Sequence, residues 1–153
     1  MSVYLLALLI GVIAGLRTMT APAAVAWAAH LGRIDLGGSW LAFLGNSWAR
    51  WILTALALVE LVVDQLPSTA SRTVPVQFGA RILTGALSGA AVGTAGGSWV
   101  GGLLAGVVGA VVGTLGGRAF RAKLAAAFGS DRPAAFIEDA VAIGGALLIA
   151  AAL

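Results

Sequence analysis

The sequence predicts an all-α integral membrane protein, a single bundle of about five transmembrane helices spanning residues 1–153. Three observations lead there: 60% of the side chains are hydrophobic, only 10% are charged, and the apolar residues gather into stretches of membrane-crossing length. Soluble chains carry about 25% charge, and a chain this small keeps so much apolar surface from water only by placing it in lipid. With no cysteine in the chain, disulfides, thiolate metal sites and cysteine nucleophiles are excluded. The net charge of +3 is small and scattered, which speaks against nucleic acid and leaves the lipid bilayer as the expected surroundings.

Apolar stretches fall at about 3–31, 48–66, 79–95, 99–117 and 133–153, each near the ~20 residues a crossing needs. The opening MSVYLLALLIGVIAGLR has no basic region ahead of its apolar run, so it is expected to be retained rather than cleaved as a signal peptide. Charge collects in the linkers: Arg72 and Arg81 in 67–81, then Arg118, Arg121, Lys123 and Arg132 in 118–132, against Arg33 and Arg50 in 32–50. With basic flanks in the cytoplasm, the N-terminus is expected inside and the C-terminus outside.

As one helix, the first stretch would be ~43 Å long against a hydrocarbon core of ~30 Å, so it must tilt or break. Thr20 followed by Pro22 offers a helix start, a hydroxyl to cap and a proline in the first turn. A discontinuity is therefore predicted at residues 17–20, at a depth where irregular backbone is tolerated only inside protein or along a water-filled cavity. An unpaired arginine in a helix centre costs at least ~2.5–3.5 kcal/mol, so Arg17 needs a partner. Glu60 and Asp64 lie four apart on one face of the second stretch, and Glu138 and Asp139 open the last. Arg81 begins the third.

Only AGGS joins the third and fourth stretches, which predicts a glycine-rich helical hairpin over 79–117. Gly85, Gly89, Gly93 and Gly97 are four apart, and Gly102, Gly106, Gly109, Gly113 and Gly117 follow at steps of three and four. Such rows let helix backbones approach closely in lipid; the alternative is that some line a narrow path for a solute. GLRTMT at 15–20 matches GARILT at 79–84, and GGSW recurs at 37–40 and 96–99, in the same order. A parallel internal repeat is expected, with units 1–66 and 67–117 followed by a C-terminal helix at 133–153. Trp40 and Trp99 would sit at the outer interface. Residues 118–129, RAFRAKLAAAFG, read as a short helix lying on the inner leaflet.

These positions gather Arg17, Thr18, Thr20, Glu60, Asp64, Arg81, Glu138 and Asp139 into a polar vestibule near the inner side. It is read as the site of a transporter or channel for a small polar solute. The broken helix aims free N–H groups at the site, which favours an anion, and the carboxylates would carry protons or a cation. The same residues allow a plainer account, in which Arg17 pairs with Glu60 or Asp64, Arg81 pairs with Glu138 or Asp139, and the pairs only fix helix register. One alternative is a membrane enzyme of lipid or isoprenoid phosphate metabolism, its phosphate held by Ser68, Thr69, Ser71 and Arg72 after Pro67. The lone histidine, His30, is expected at the opposite face, as an interfacial residue. Another alternative is an assembly scaffold built on the glycine faces. No catalytic residue, metal ligand or cofactor is assigned, and a homo-oligomer is expected because five short glycine-faced helices bury little alone.

AGLRTMTAPAAVAWAAHLGRIDL, ELVVDQLPSTASR and GARILTGALSGAAVG resemble a widespread family of small bacterial membrane proteins known as a domain of unknown function. Its pattern is Gly-x-Arg, then Glu-x-x-x-Asp-x-x-Pro, then a glycine-rich helix. Many relatives have a lysine after the motif aspartate where this chain has Gln65. The resemblance covers roughly residues 10–95 and implies a bacterial inner-membrane location, and it brings no activity with it.

Overall fold

The computed structural model describes residues 2–63 and 75–153. Among them are six α-helices and no strand: α1 (Val3–Leu16), α2 (Thr20–His30), α3 (Ser47–Val63), α4 (Pro75–Thr94), α5 (Trp99–Phe128) and α6 (Asp131–Ala152). A 3-10 turn at Ala42–Gly45 precedes α3. Two helices, Trp99–Phe128 and Arg132–Ala152, are long and apolar enough to cross a membrane.

The predicted break is present, and its shape differs from a kinked crossing. Helix α1 ends at Leu16, Arg17 is extended (φ −142°, ψ 116°) and α2 starts at Thr20. Pro22 falls in the first turn of α2, where the N–H it lacks would have had no intrahelical partner. The two halves then run in opposite directions. At the start of α1 the Tyr4 hydroxyl donates to Gly96 O in the α4–α5 turn at 3.2 Å, while beyond the end of α2 Arg33 Nη1 donates to Ala151 O at the end of α6 at 2.8 Å. Ala152 and Leu6 line one apolar groove, so all these chain ends lie together. Residues 3–31 are therefore a helical hairpin that goes in and comes back, not one long helix. Val3 and Ala152 share an end of the bundle, whereas the sequence reading expects the two termini on opposite sides.

That shared end carries the tryptophans. Trp40 and Trp99 meet edge to face at 5.5 Å; Trp27 near the end of α2 meets Trp51 in the first turns of α3 at 5.2 Å and donates to Thr54 Oγ1 at 2.8 Å. The Arg50 guanidinium lies over both of the latter rings, 5.5 Å from each centroid. His30 packs edge-on against Trp27 at 5.8 Å. Helix α3 runs from this tryptophan end to Glu60, antiparallel to α2.

Helix α1 is the centre of the core, with Leu6, Ala7, Ile10, Ile13 and Ala14 buried. It packs on α4, α5, α6 and α2. The glycine rows explain how backbones come so near. A Cβ on Gly89 would sit 2.7 Å from Gly106 Cα, one on Gly11 2.9 Å from the same atom, and one on Gly109 2.8 Å from Val12 N. One edge of α5 thus takes α4 and the next takes α1. Gly97 is an exception within its row: it lies in the turn, with φ +86°, the left-handed region glycine favours.

Two further expectations change. Residues 118–129 do not form a separate surface helix; residues up to Phe128 prolong α5, with no interruption, and Gly129 (φ 68°) ends it as a left-handed cap. The matched peptides sit in comparable places without being identical. Arg17 precedes α2 and Arg81 begins the interior of α4; these two helices run the same way, toward turns in which Gly38 and Gly97 take φ 81° and 86°. Helices α3 and α5 then run back. Ser98 caps α5 by accepting from Gly101 N at 3.1 Å, whereas Ser39 donates to Leu36 O at 2.7 Å ahead of the 3-10 turn.

Candidate functional site

The tip of the α1–α2 hairpin, which carries Arg17, gathers charge from three other helices, α3, α4 and α6. Arg17 lies 14 residues from Val3, Glu60 13 from Ser47, Arg81 13 from Thr94, and Glu138 14 from Ala152. Each is about 20 Å from the tryptophan end at 1.5 Å per residue, so elements far apart in sequence bring these side chains to one level.

Arg17 is fully buried, as is Glu138 at 1% exposure. Arg17 Nη1 donates to Glu138 Oε1 at 2.5 Å and to Leu16 O at 2.8 Å. Its Nε donates to Asp139 Oδ1 at 2.6 Å, and Nη2 lies 2.5 Å from that same oxygen. Arg81, also buried, donates from Nη1 to Gly15 O at 2.8 Å. Two guanidinium groups therefore bond the last carbonyls of α1, where the helix dipole is negative and the carbonyls have no intrahelical partner.

The other half-helix is matched in the opposite sense. Met19 N at the start of α2 donates to Glu60 Oε2 at 3.2 Å, so a carboxylate from α3 sits at the positive end of α2. Thr20, offered by the sequence as the cap, makes no side-chain cap bond; Met19 occupies the N-cap position. Replacing Glu60 with Ala should lower stability by about 1 kcal/mol, read from thermal unfolding in detergent, while Glu60→Gln, which still offers an oxygen, should lose less. Equal losses would show that the charge at the helix end carries the whole effect and that a neutral acceptor in its place contributes nothing.

Of the sequence-predicted site, Arg17, Glu60, Arg81, Glu138 and Asp139 are brought to this level, with Thr18 and Thr20 buried beside Arg17. The described bonds include partners that the sequence did not suggest. Arg17 takes both carboxylates of α6, Glu60 goes to the α2 backbone, and Arg81 goes to the α1 backbone. Asp64 and the phosphate-loop candidates Ser68, Thr69, Ser71 and Arg72 lie outside the described residues. Three buried hydroxyls escaped the sequence reading: Thr84, Ser88 and Thr114. The spacing of Arg81, Thr84 and Ser88 by three and four would have put them on one helix face.

An apolar groove of about 310 Å³ runs between α1 and α6, from Leu6 and Ala152 at the tryptophan end to Leu16 and Val141. The buried ion pair closes its inner end, since Arg17 follows Leu16 and Glu138 lies one turn before Val141.

The family model for the domain of unknown function DUF4126 matches residues 4–152. The chain belongs to the DUF4126 family. No curated protein and no solved structure matches it. The match spans all six helices, so the charged level is part of the DUF4126 domain and not an addition to it.

Proposed function

We propose that this DUF4126 protein is a membrane carrier or channel for a small polar solute, with the tip of the α1–α2 hairpin as its central site. The observation that carries this reading is the re-entrant hairpin with five charged side chains gathered about 20 Å along the bundle. Discontinuous helices whose ends meet at mid-depth are the usual way to build a solute site in lipid, because irregular backbone survives there only around a site or cavity.

The membrane setting itself is supported by the outer surface. Leu83 and Leu148 are at least 70% exposed, and Leu58, Val62, Leu104 and Leu147 are exposed as well, far more apolar surface than water tolerates. Trp99 and Arg118 are 19 residues apart on α5, about 28 Å, close to the ~30 Å between the two interfaces. Four crossings, α3 to α6, with a re-entrant α1–α2 hairpin fit this better than five. The cytoplasmic side is then the one with Arg118, Arg121, Lys123 and Arg132, and Val3 and Ala152 are outside. A duplication is supported in corrected form: the repeated unit is an ascending helix, a GGSW turn and a descending helix, α2–α3 and α4–α5, with α1 added in front.

The nature of the solute changes from the sequence expectation. The α2 N-terminus, which would have attracted an anion, holds Glu60. Among the described residues, Arg17 and Arg81 stand beside three carboxylates, Glu60, Glu138 and Asp139, which supports a cation or a neutral polar solute over an anion. The phosphate-enzyme alternative rests on residues outside the described set. The scaffold alternative loses its glycine faces, which the chain's own helices occupy.

The test is solid-supported-membrane electrophysiology on proteoliposomes given jumps of sodium, potassium, ammonium or guanidinium, with stopped-flow swelling in urea and glycerol for neutral solutes. At least one response is expected, falling about tenfold or more in Asp139→Asn, a step of roughly 1.4 kcal/mol. No response to any of them would overturn the reading.

A further inference from the structure

The charged level has a polar continuation that the site does not use. Along α4, Arg81, Thr84 and Ser88 are spaced three and four apart, on one face of the helix. Arg81 on that face bonds Gly15 O of α1, and α4 also packs against α2, so the face looks into the α1–α2 hairpin. Thr84 and Ser88 are both buried, Ser88 completely. Ser88 lies six residues from Thr94, about 9 Å from the tryptophan end, against about 20 Å for Arg81.

The hydroxyl of Ser88 has no hydrogen-bond partner among the described residues, and neither has Oγ1 of Thr114 on α5, a residue whose backbone borders Gly15. Other hydroxyls in this chain bond back to their own helix: Thr54 to Arg50 O at 2.6 Å, Thr84 to Arg81 O at 3.2 Å and Thr94 to Ala91 O at 2.6 Å. Burying a hydroxyl unmatched is costly. The neighbours Gly89, Ala90, Ala91 and Gly93 show that a small apolar residue fits this helix, so the serine oxygen is not needed for size.

We propose that the Arg81–Thr84–Ser88 face is a hydrated path leading from the charged level toward the tryptophan end. Its occupants are water and small solutes able to bond a hydroxyl, and the present arrangement is its closed form. The inference deepens the carrier reading by giving the site an exit, and its test does not depend on transport.

The chain has no cysteine, so single replacements report on one position each. In proteoliposomes, Ser88→Cys and Thr84→Cys are exposed to a small charged methanethiosulfonate reagent, and labelling is followed by intact mass. Ala90→Cys, on the same helix and fully buried, is the reference. Labelling of both test positions about tenfold or more faster than the reference is expected, because thiol reactivity follows access to water. Labelling at the reference rate would overturn the proposal. Should Ser88→Cys fail to fold, Thr84→Cys decides by the same comparison. Fast labelling with no solute response in the electrophysiology would sink the carrier and keep a hydrated path; a solute response with slow labelling would keep the carrier and sink this path.

Discussion

Gly106→Leu should leave no folded protein: no monodisperse species in detergent and no cooperative thermal transition. Gly106 is where three helices meet. A Cβ on Gly85 would lie 2.9 Å from Gly106 O, and Cβ atoms on Gly89 and Gly11 would lie 2.7 and 2.9 Å from Gly106 Cα. A Cβ on Gly106 itself would in turn press against Gly89 Cα at 3.0 Å and, closer still, against Gly85 O. The obstacles are backbone atoms on α4, which cannot rotate away as a side chain does. Overpacking of a core that can adjust costs roughly 1–3 kcal/mol; here α4 would have to separate from α5 along the whole glycine row, an effect above about 5 kcal/mol. Gly116→Leu on the same helix is the control, because nothing lies within 4 Å of a Cβ there. It should fold with a stability change within about 0.5 kcal/mol. Equal behaviour of the two variants would mean that the helices are not packed through their glycines.

That expectation follows from the part of the fold most legible in the sequence. Glycines four apart mark one helix face whatever surrounds them, and the short AGGS link forces α4 and α5 into contact. Two of the rows reach their partners as expected, but the second partner of α5 is α1, which a short-range pattern does not reveal. The break at Arg17 was legible because a helix over 3–31 is too long for a bilayer and Pro22 marks a new start. The reversal at the break was not. Apolar spacing describes a helix face and carries no sign of direction, and α1 and α2 are apolar nearly all round.

The charged level was legible in membership, and its bonds to the ends of α1 and α2 were not. Arg17, Glu60, Arg81, Glu138 and Asp139 stood out because charge is rare in an apolar chain. Their bonds depend on where helix ends fall. Arg81 and Glu60 reach backbone partners at the ends of α1 and α2, and Arg17 reaches α6, 121 residues away. The surface helix expected at 118–129 failed for a local reason: RAFRAKLAAAF is rich in alanine, arginine, lysine and leucine, all good helix formers, and no proline stops α5 before Gly129.

Arg17→Gln should cost roughly 3–5 kcal/mol, the usual loss when one partner of a buried ion pair is removed and the others stay charged. Here the carboxylates that lose the guanidinium are Glu138 and Asp139, and Leu16 O loses a donor as well. Thermal unfolding in detergent would show it as a large fall in Tm. The informative comparison is the triple variant Arg17→Met, Glu138→Met, Asp139→Leu. Replacing a buried ion pair by apolar side chains of similar volume is often neutral or stabilising, so most of the lost stability should return. If these charges only hold α1 against α6, the triple variant should behave in every respect like the parent protein. On the carrier reading it should be stable and inactive, with the cation or neutral-solute response absent. A triple variant that stays as unstable as Arg17→Gln would show that the charges are needed for folding itself. A stable triple variant with its solute response intact would remove the charged level from the mechanism and leave it as a structural joint.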